Sequence, residues 1–236
     1  MAEALLGGLI ERGWAQADEL HVVEPVEARR AELAASMPGL SLGDAPVAGA
    51  DAVIAVKPDV VPAVLAGLDK AGVRRVLSIA AGVRSDAIEA GLAPGAAVVR
   101  CMPNTPALVG QGAAALAAGR HATETDLDWA SAILSAVGLV VIVDEADIDA
   151  VTGLSGSGPA YVFHLAEALI AAGIAEGLSP DTADALTRQT LLGAAALLSE
   201  SGEDPAVLRT NVTSKGGTTA AGLAVLADAD FEGLIA

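Results

Sequence analysis

The run Ala97-Val98-Val99-Arg100-Cys101-Met102-Pro103-Asn104-Thr105-Pro106 sets a β-branched stretch against a turn that two prolines close. Valine side chains suit a pleated strand, and proline neither donates to a ladder nor continues one. Strand-then-breaker recurs along the first part of the chain. Ala52–Val56 ends at Lys57-Pro58, Val76–Ala80 ends at Ala81-Gly82, Leu20–Val23 ends at Glu24-Pro25, and Leu139–Val143 ends at Asp144. Helices are expected between these strands, for instance Val26 to Ala35 with Glu27, Arg29 and Arg30 on the wet face. Such alternation argues for parallel βαβ units.

After Asp144 the periodicity is helical only. Ser179-Pro180-Asp181 reads as an N-cap, a first-turn proline and an acid placed at the positive end of a helix dipole. The expected organisation is an α/β domain over residues 1–146 and an all-helical domain over 147–236. Leu191–Leu198 is apolar nearly all round, so it is expected to be buried, either against a partner chain or in an ordinary monomeric core.

Composition narrows the function. The 236 residues carry 13 basic against 30 acidic side chains, a net charge of −17, which disfavours nucleic acid. Hydrophobic residues make up 53% but aromatics only 2%, so the core is expected to be small-residue helix and sheet packing. The most apolar long stretch, Ala160–Leu178, carries His164, Glu167 and Glu176, which disfavours a membrane span. Glu3 stands where a signal peptide needs a basic residue. One cysteine, Cys101, makes no intramolecular disulfide and fits a reducing cytoplasm; at a strand end it reads as a buried structural thiol. His21, His121 and His164 are scattered without ligand spacing, so no metal is expected.

The segment Val212-Thr213-Ser214-Lys215-Gly216-Gly217-Thr218-Thr219 packs hydroxyls, bare backbone and one of only three lysines into eight residues, ahead of an apolar helix through Leu226. Adjacent glycines allow close approach, and N–H groups at a helix start hold an anion without a charged side chain. The other reading is a glycine-rich helix start that binds nothing.

This segment, Ser155-Gly156-Ser157-Gly158-Pro159-Ala160-Tyr161 and Arg100–Pro106 occur in an order and spacing that resemble pyrroline-5-carboxylate reductase, the enzyme that makes proline. The resemblance covers nearly the whole chain. Lys215 departs from it, where the family often has Pro, as does Ala227, where a polar or charged residue is usual. It implies a Rossmann-like doubly wound sheet followed by an all-helical domain that forms the dimer interface, with a ring of dimers as the larger assembly.

A nucleotide-binding sheet of this kind opens with a strand and a G-x-G-x-x-G/A turn that holds the pyrophosphate. Here the chain opens directly in a helix, Ala2–Glu11, closed by Arg12-Gly13. The family's glycine turn runs into a Met at this position, and the family continues past the position of Ala236. The chain is therefore expected to be shortened at both ends, to lack the first strand and the glycine turn, and to be inactive as numbered.

By the resemblance, Ser214, Gly217 and Thr218 fall on the anchor for the substrate carboxylate, Thr219 on the hydroxyl facing the ring nitrogen, and Asn211 on a neighbouring polar contact. Thr219 and Ser214 are the catalytic candidates. Ser157 faces the ligand or serves as a plain N-cap. Val56, Lys57, Pro58, Ala80, Ala81, Gly82, Asn104 and Thr105 lie at strand ends against the cofactor, ordinary turn chemistry being the alternative. Glu24 suits a ribose 2′-hydroxyl and favours NAD, or is a solvated loop acid. Arg29 and Arg30 suit the 2′-phosphate of NADP, which the family often uses, so both cofactors stay open. The expected reaction is hydride transfer from NAD(P)H to a cyclic imine. A β-hydroxyacid dehydrogenase is the rival enzyme, but that chemistry uses a helix lysine and Ala160–Leu178 has none. A noncatalytic nucleotide-binding or assembly protein is the rival of another class.

Overall fold

A computed structural model describes all of residues 1–236. The chain divides into two compact units, Met1–Val162 and Phe163–Ala236.

The first unit alternates strands and helices: α1 (Ala2–Glu11), β1 (His21–Val23), α2 (Glu27–Ser36), β2 (Ser41–Gly43), β3 (Ala52–Ile54), α3 (Val61–Lys70), β4 (Arg75–Ser78), α4 (Ser85–Glu89), β5 (Ala97–Met102), β6 (Gly112–Ala118), α5 (Glu124–Leu134), β7 (Gly138–Ile142) and α6 (Ile148–Val151). The strands form two sheets, a parallel pair β1–β2 and a five-stranded sheet in the order β3-β4-β5-β6-β7. Period-two alternation builds the layers around the larger sheet. Leu77, Val99 and Cys101 pack on one face with Leu5 and Leu9 of α1 and with Ile133 and Leu134 of α5. Val76 and Val98 pack on the other with Val61, Leu65 and Leu68 of α3 and with Ile88 of α4. Helices thus cover both faces, as a doubly wound sheet requires.

The five expected strands all form, within one or two residues at each end. Two more were not anticipated, and one of them changes the topology. Gly112–Ala118, in an Ala-rich interval expected to be helical, is strand β6, antiparallel to β5 and parallel to β7. Alanine is the best helix former. Here burial between two strands overrides that preference, since Ala115, Leu116 and Ala117 are at most 1% exposed. Gly138 pairs with Gly112, and a Cβ on Gly138 would lie 2.0 Å from the Gly112 carbonyl oxygen, so this edge closes only with glycine. The other unanticipated strand, β2, lacks the β-branched residues that would have marked it.

Two side-chain ties extend the sheet unit past its last strand. Arg100, 3% exposed at the middle of β5, donates from Nη1 to Glu145 Oε1 at 2.8 Å, and the same oxygen accepts from the Ser85 N–H at 3.3 Å. Asn104 donates to the Ser155 carbonyl at 3.0 Å. Through them residues 145–157 belong with the sheet, although helical structure begins at Glu145.

A five-residue π-type turn, Thr152–Gly156, leads into α7 (Gly158–Ala175), followed by α8 (Pro180–Ser201), α9 (Pro205–Asn211), α10 (Thr218–Asp228) and α11 (Phe231–Ile235). Ser179 caps α8, its Oγ accepting from the Thr182 N–H at 3.2 Å. The second unit has little core of its own, for only Ala183 and Thr187 are buried. Of the two covers expected for Leu191–Leu198, the monomeric core is ruled out: Leu192 is 65% exposed in the single chain, with Leu197 and Leu198 about half exposed. The helices of this unit leave most of their apolar faces uncovered within the single chain. The stretch Glu145–Ala175 is also long and apolar enough, by length and composition, to cross a membrane.

Candidate functional site

Parallel strands place their following loops at one edge of a sheet. β3, β4 and β5 are mutually parallel. Their C-terminal ends therefore bring Val56-Lys57-Pro58, Ala80-Ala81-Gly82 and Asn104-Thr105 to the edge where ligands of α/β sheets bind. Val56, Lys57, Pro58, Ala81, Gly82 and Thr105 are exposed there, while Ala80 is 3% exposed and packs into the core. Gly82 has φ +74°, a left-handed turn that suits glycine, and nothing lies within 4 Å of where a side chain would begin. A groove of about 660 Å³, lined by Pro58, Val61, Leu65, Gly82, Val83 and Ala87 among others, runs from these loops between α3 and α4.

Glu24 follows β1, and its Oε1 accepts from the Val26 N–H at 2.9 Å, shaping the entry to α2. The two neighbouring arginines are unequal. Arg29 is paired with Glu3 and with Glu32, and the Glu32 hydrogen bond followed by the charge of Glu3 raises its pKa further. Arg30 bonds the Glu24 carbonyl at 2.6 Å through Nη1, which leaves its other donors free. The backbone bond holds one Glu24 oxygen and leaves the other able to accept from a ribose hydroxyl.

Asn104 is placed at the strand end, as expected, but its carboxamide is engaged inside the protein. Oδ1 accepts from the Ala113 N–H at 2.9 Å while Nδ2 donates to the Ser155 carbonyl at 3.0 Å. Thr105, beside it, remains exposed. Ser157 is half-buried at the start of α7, and its N–H donates to the Thr152 carbonyl at 2.8 Å across the π-type turn. The Asn104 tie escaped the sequence reading, and so did the Arg100–Glu145 pair, because their partners are far apart in the chain. Cys101 is 1% exposed, and burial pushes its thiol far up, so it supplies no nucleophile.

In the second unit, Ser214-Lys215-Gly216-Gly217 forms a tight turn in which the Gly217 N–H donates to the Ser214 carbonyl at 3.0 Å. Gly216 has φ +73°. Lys215 therefore occupies the turn position where proline is also at home, so this departure from the family leaves the turn intact. A Cβ on Gly217 would meet Ser214 Oγ at 2.4 Å; glycine is what lets that hydroxyl lie against the helix start. Gly217 caps α10 without a side-chain bond, and the first helical bond runs from Ala221 N–H to the Gly217 carbonyl. The N–H groups of Thr218, Thr219 and Ala220 are thus left for an outside acceptor. Ser214, Thr218 and Thr219 are exposed around them, as is Asn211 at the end of α9. Three open N–H groups ringed by hydroxyls suit a small carboxylate.

A family model described as pyrroline-5-carboxylate reductase dimerisation matches residues 145–236. The chain is 45% identical to a pyrroline-5-carboxylate reductase of Synechocystis, covering 100% of this chain and 89% of that protein. Its structure is similar to that of a pyrroline-5-carboxylate reductase from Coxiella burnetii, with TM-score 0.92, 35% identity and 99% and 89% of the two chains covered. A pyrroline carboxylate reductase of Plasmodium falciparum with NADP bound superposes with TM-score 0.84 at 28% identity, over 99% of this chain and 88% of the other. Identity at this level along the whole chain, with the strand-end loops and the hydroxyl-ringed helix start both in place, means that the chain belongs to the pyrroline-5-carboxylate reductase family.

Proposed function

We propose that this protein reduces 1-pyrroline-5-carboxylate to L-proline with NADPH, or with NADH, as a cytoplasmic homodimer or ring of dimers. The open, hydroxyl-ringed start of α10 is the observation that carries the site reading, because it offers donors for a carboxylate, with the Lys215 cation in the turn beside it. When bound, the reduced nicotinamide supplies the hydride. The residues have a smaller task, since a protonated cyclic imine is already electrophilic. Ser214, Gly217 and Thr218 hold the substrate carboxylate, Asn211 adds a polar contact, and the Thr219 hydroxyl faces the ring nitrogen, where the proton must be kept. Val56–Pro58, Ala81, Gly82 and Thr105 flank the cofactor at the strand ends, and Ser157 offers a further hydroxyl at the start of α7. The left-handed Gly82 turn with open space beside it supports a flat ring approaching there.

The exposed apolar faces of α7 and α8 go against a second copy of the chain rather than lipid, a reading supported by the match to a dimerisation family over 145–236. Steady-state oxidation of NADPH with the imine, followed by detection of proline, tests the reaction. Cofactor choice has its own test. Glu24→Ala is expected to raise the NADPH-to-NADH ratio of kcat/KM about tenfold, the worth of one hydrogen bond to a charged group. An unchanged ratio would leave Glu24 with only its turn at Val26.

A further inference from the structure

We propose that Asn104 is a positioning residue for the reduction, holding the start of α7 in register with the strand ends through the Ser155 carbonyl; the inference rests on reading the chain as an imine reductase. Helix bookkeeping leads to it. In a continuing α-helix the Ser155 carbonyl would accept from the N–H four residues on, and that residue is Pro159, which has none. The next N–H, of Ala160, goes to the Ser157 carbonyl at 2.9 Å, and that of Ser157 goes back to Thr152. The Ser155 carbonyl is left without a donor from its own helix, and the Asn104 amide supplies one at 3.0 Å.

The same carboxamide accepts from Ala113, the second residue of β6. One planar group therefore joins the end of β5, the start of β6 and the last turn before α7. The job needs one acceptor and one donor on adjacent atoms, which serine, aspartate or leucine cannot provide in that arrangement. Met102 packs against the same turn, its Cε 2.5 Å from where a Cβ on Gly156 would lie. Ser157 and the first residues of α7 are consequently carried at a fixed offset from the loops Ala80–Gly82 and Thr105. This role differs from the cofactor contact expected of Asn104. It sets the geometry around the reacting groups rather than touching them.

Asn104→Asp tests the role, because it keeps the acceptor for Ala113 and turns an oxygen toward the Ser155 carbonyl. Misplacement by about 1 Å costs on the order of a hundredfold in rate, so kcat is expected to fall about ten- to a hundredfold. KM for imine and NADPH should stay within about threefold, as uniform binding is not what is lost. Amide hydrogen exchange of the ligand-free protein should quicken at Ser157–Val162 and stay unchanged in α5. Wild-type kcat, a raised KM with intact kcat, or unchanged exchange at Ser157–Val162 would each overturn the proposal. If the Asp variant does not fold, Asn104→Gln, with both groups on a longer stem, is read by the same measurements. A wild-type protein that leaves the imine unreduced would defeat the functional reading instead, and the exchange arm would still judge the tie.

Discussion

Thr219→Val is expected to lower kcat and kcat/KM together while leaving the thermal melt in place. Valine keeps the shape of threonine and has a similar helix propensity. Thr219 is exposed in the first turn of α10, so the substitution removes nothing that holds the fold. A hydrogen bond to a charged group is worth about 1.5–3 kcal/mol, or roughly ten- to over a hundredfold in rate when it is made in the transition state. Ser214→Ala should act chiefly through KM if that hydroxyl holds the carboxylate, since uniform binding raises KM and leaves kcat alone. Steady-state kinetics of both variants beside a melt is the check. Wild-type turnover in Thr219→Val would remove Thr219 from the mechanism and return the Gly216-Gly217 turn to a structural role.

Leu192→Glu is expected to abolish assembly and activity together. Leu192 lies on α8 and is 65% exposed in the single chain, in a unit that buries only Ala183 and Thr187. Such a unit depends on a partner chain for its core, so its folding is linked to association. Burying one leucine is worth about 1.5–3 kcal/mol, and a symmetric interface counts it twice. Replacing it with a charge that finds no partner adds a desolvation cost of several kcal/mol. Size-exclusion chromatography with light scattering should show loss of the dimer, with reduced helicity by circular dichroism. A dimer of wild-type stability and activity would show that this face of α8 is not the interface.

These two predictions rest on parts of the chain with unequal legibility. The strands Ala52–Ile54, Arg75–Ser78 and Ala97–Met102 were readable because valine and isoleucine announce a pleated, buried surface and a proline or glycine ends each run. The helix starts at Ser179 and Gly217 were readable from local capping chemistry. β6 was not, because seven residues of glycine, alanine and leucine carry no strand signal; only the neighbours β5 and β7 make them a strand. The antiparallel step in the sheet was lost with it. The cover of Leu191–Leu198 stayed open for a similar reason, since an all-round apolar helix announces burial but not whose chain supplies it.

The candidate site divides the same way. Ser214, Gly217, Thr218 and Thr219 sit within one turn and one helix start, so their grouping is local and visible in the sequence. Asn104 stood out as a polar residue at a strand end, yet its hydrogen bonds reach 9 and 51 residues along the chain. Pro159 held the one clue available beforehand, a helix start that lacks an N–H.

Direct hydride transfer fixes where the new hydrogen in the product comes from. The decisive measurement is mass spectrometry of proline formed by the natural full-length protein from 1-pyrroline-5-carboxylate and NADPH deuterated at both hydrogens of the nicotinamide C4. Direct hydride transfer predicts proline heavier by a single deuterium at the former imine carbon, formed in step with NADPH oxidation. Unlabelled proline, or no proline while the protein remains folded and assembled, would contradict it.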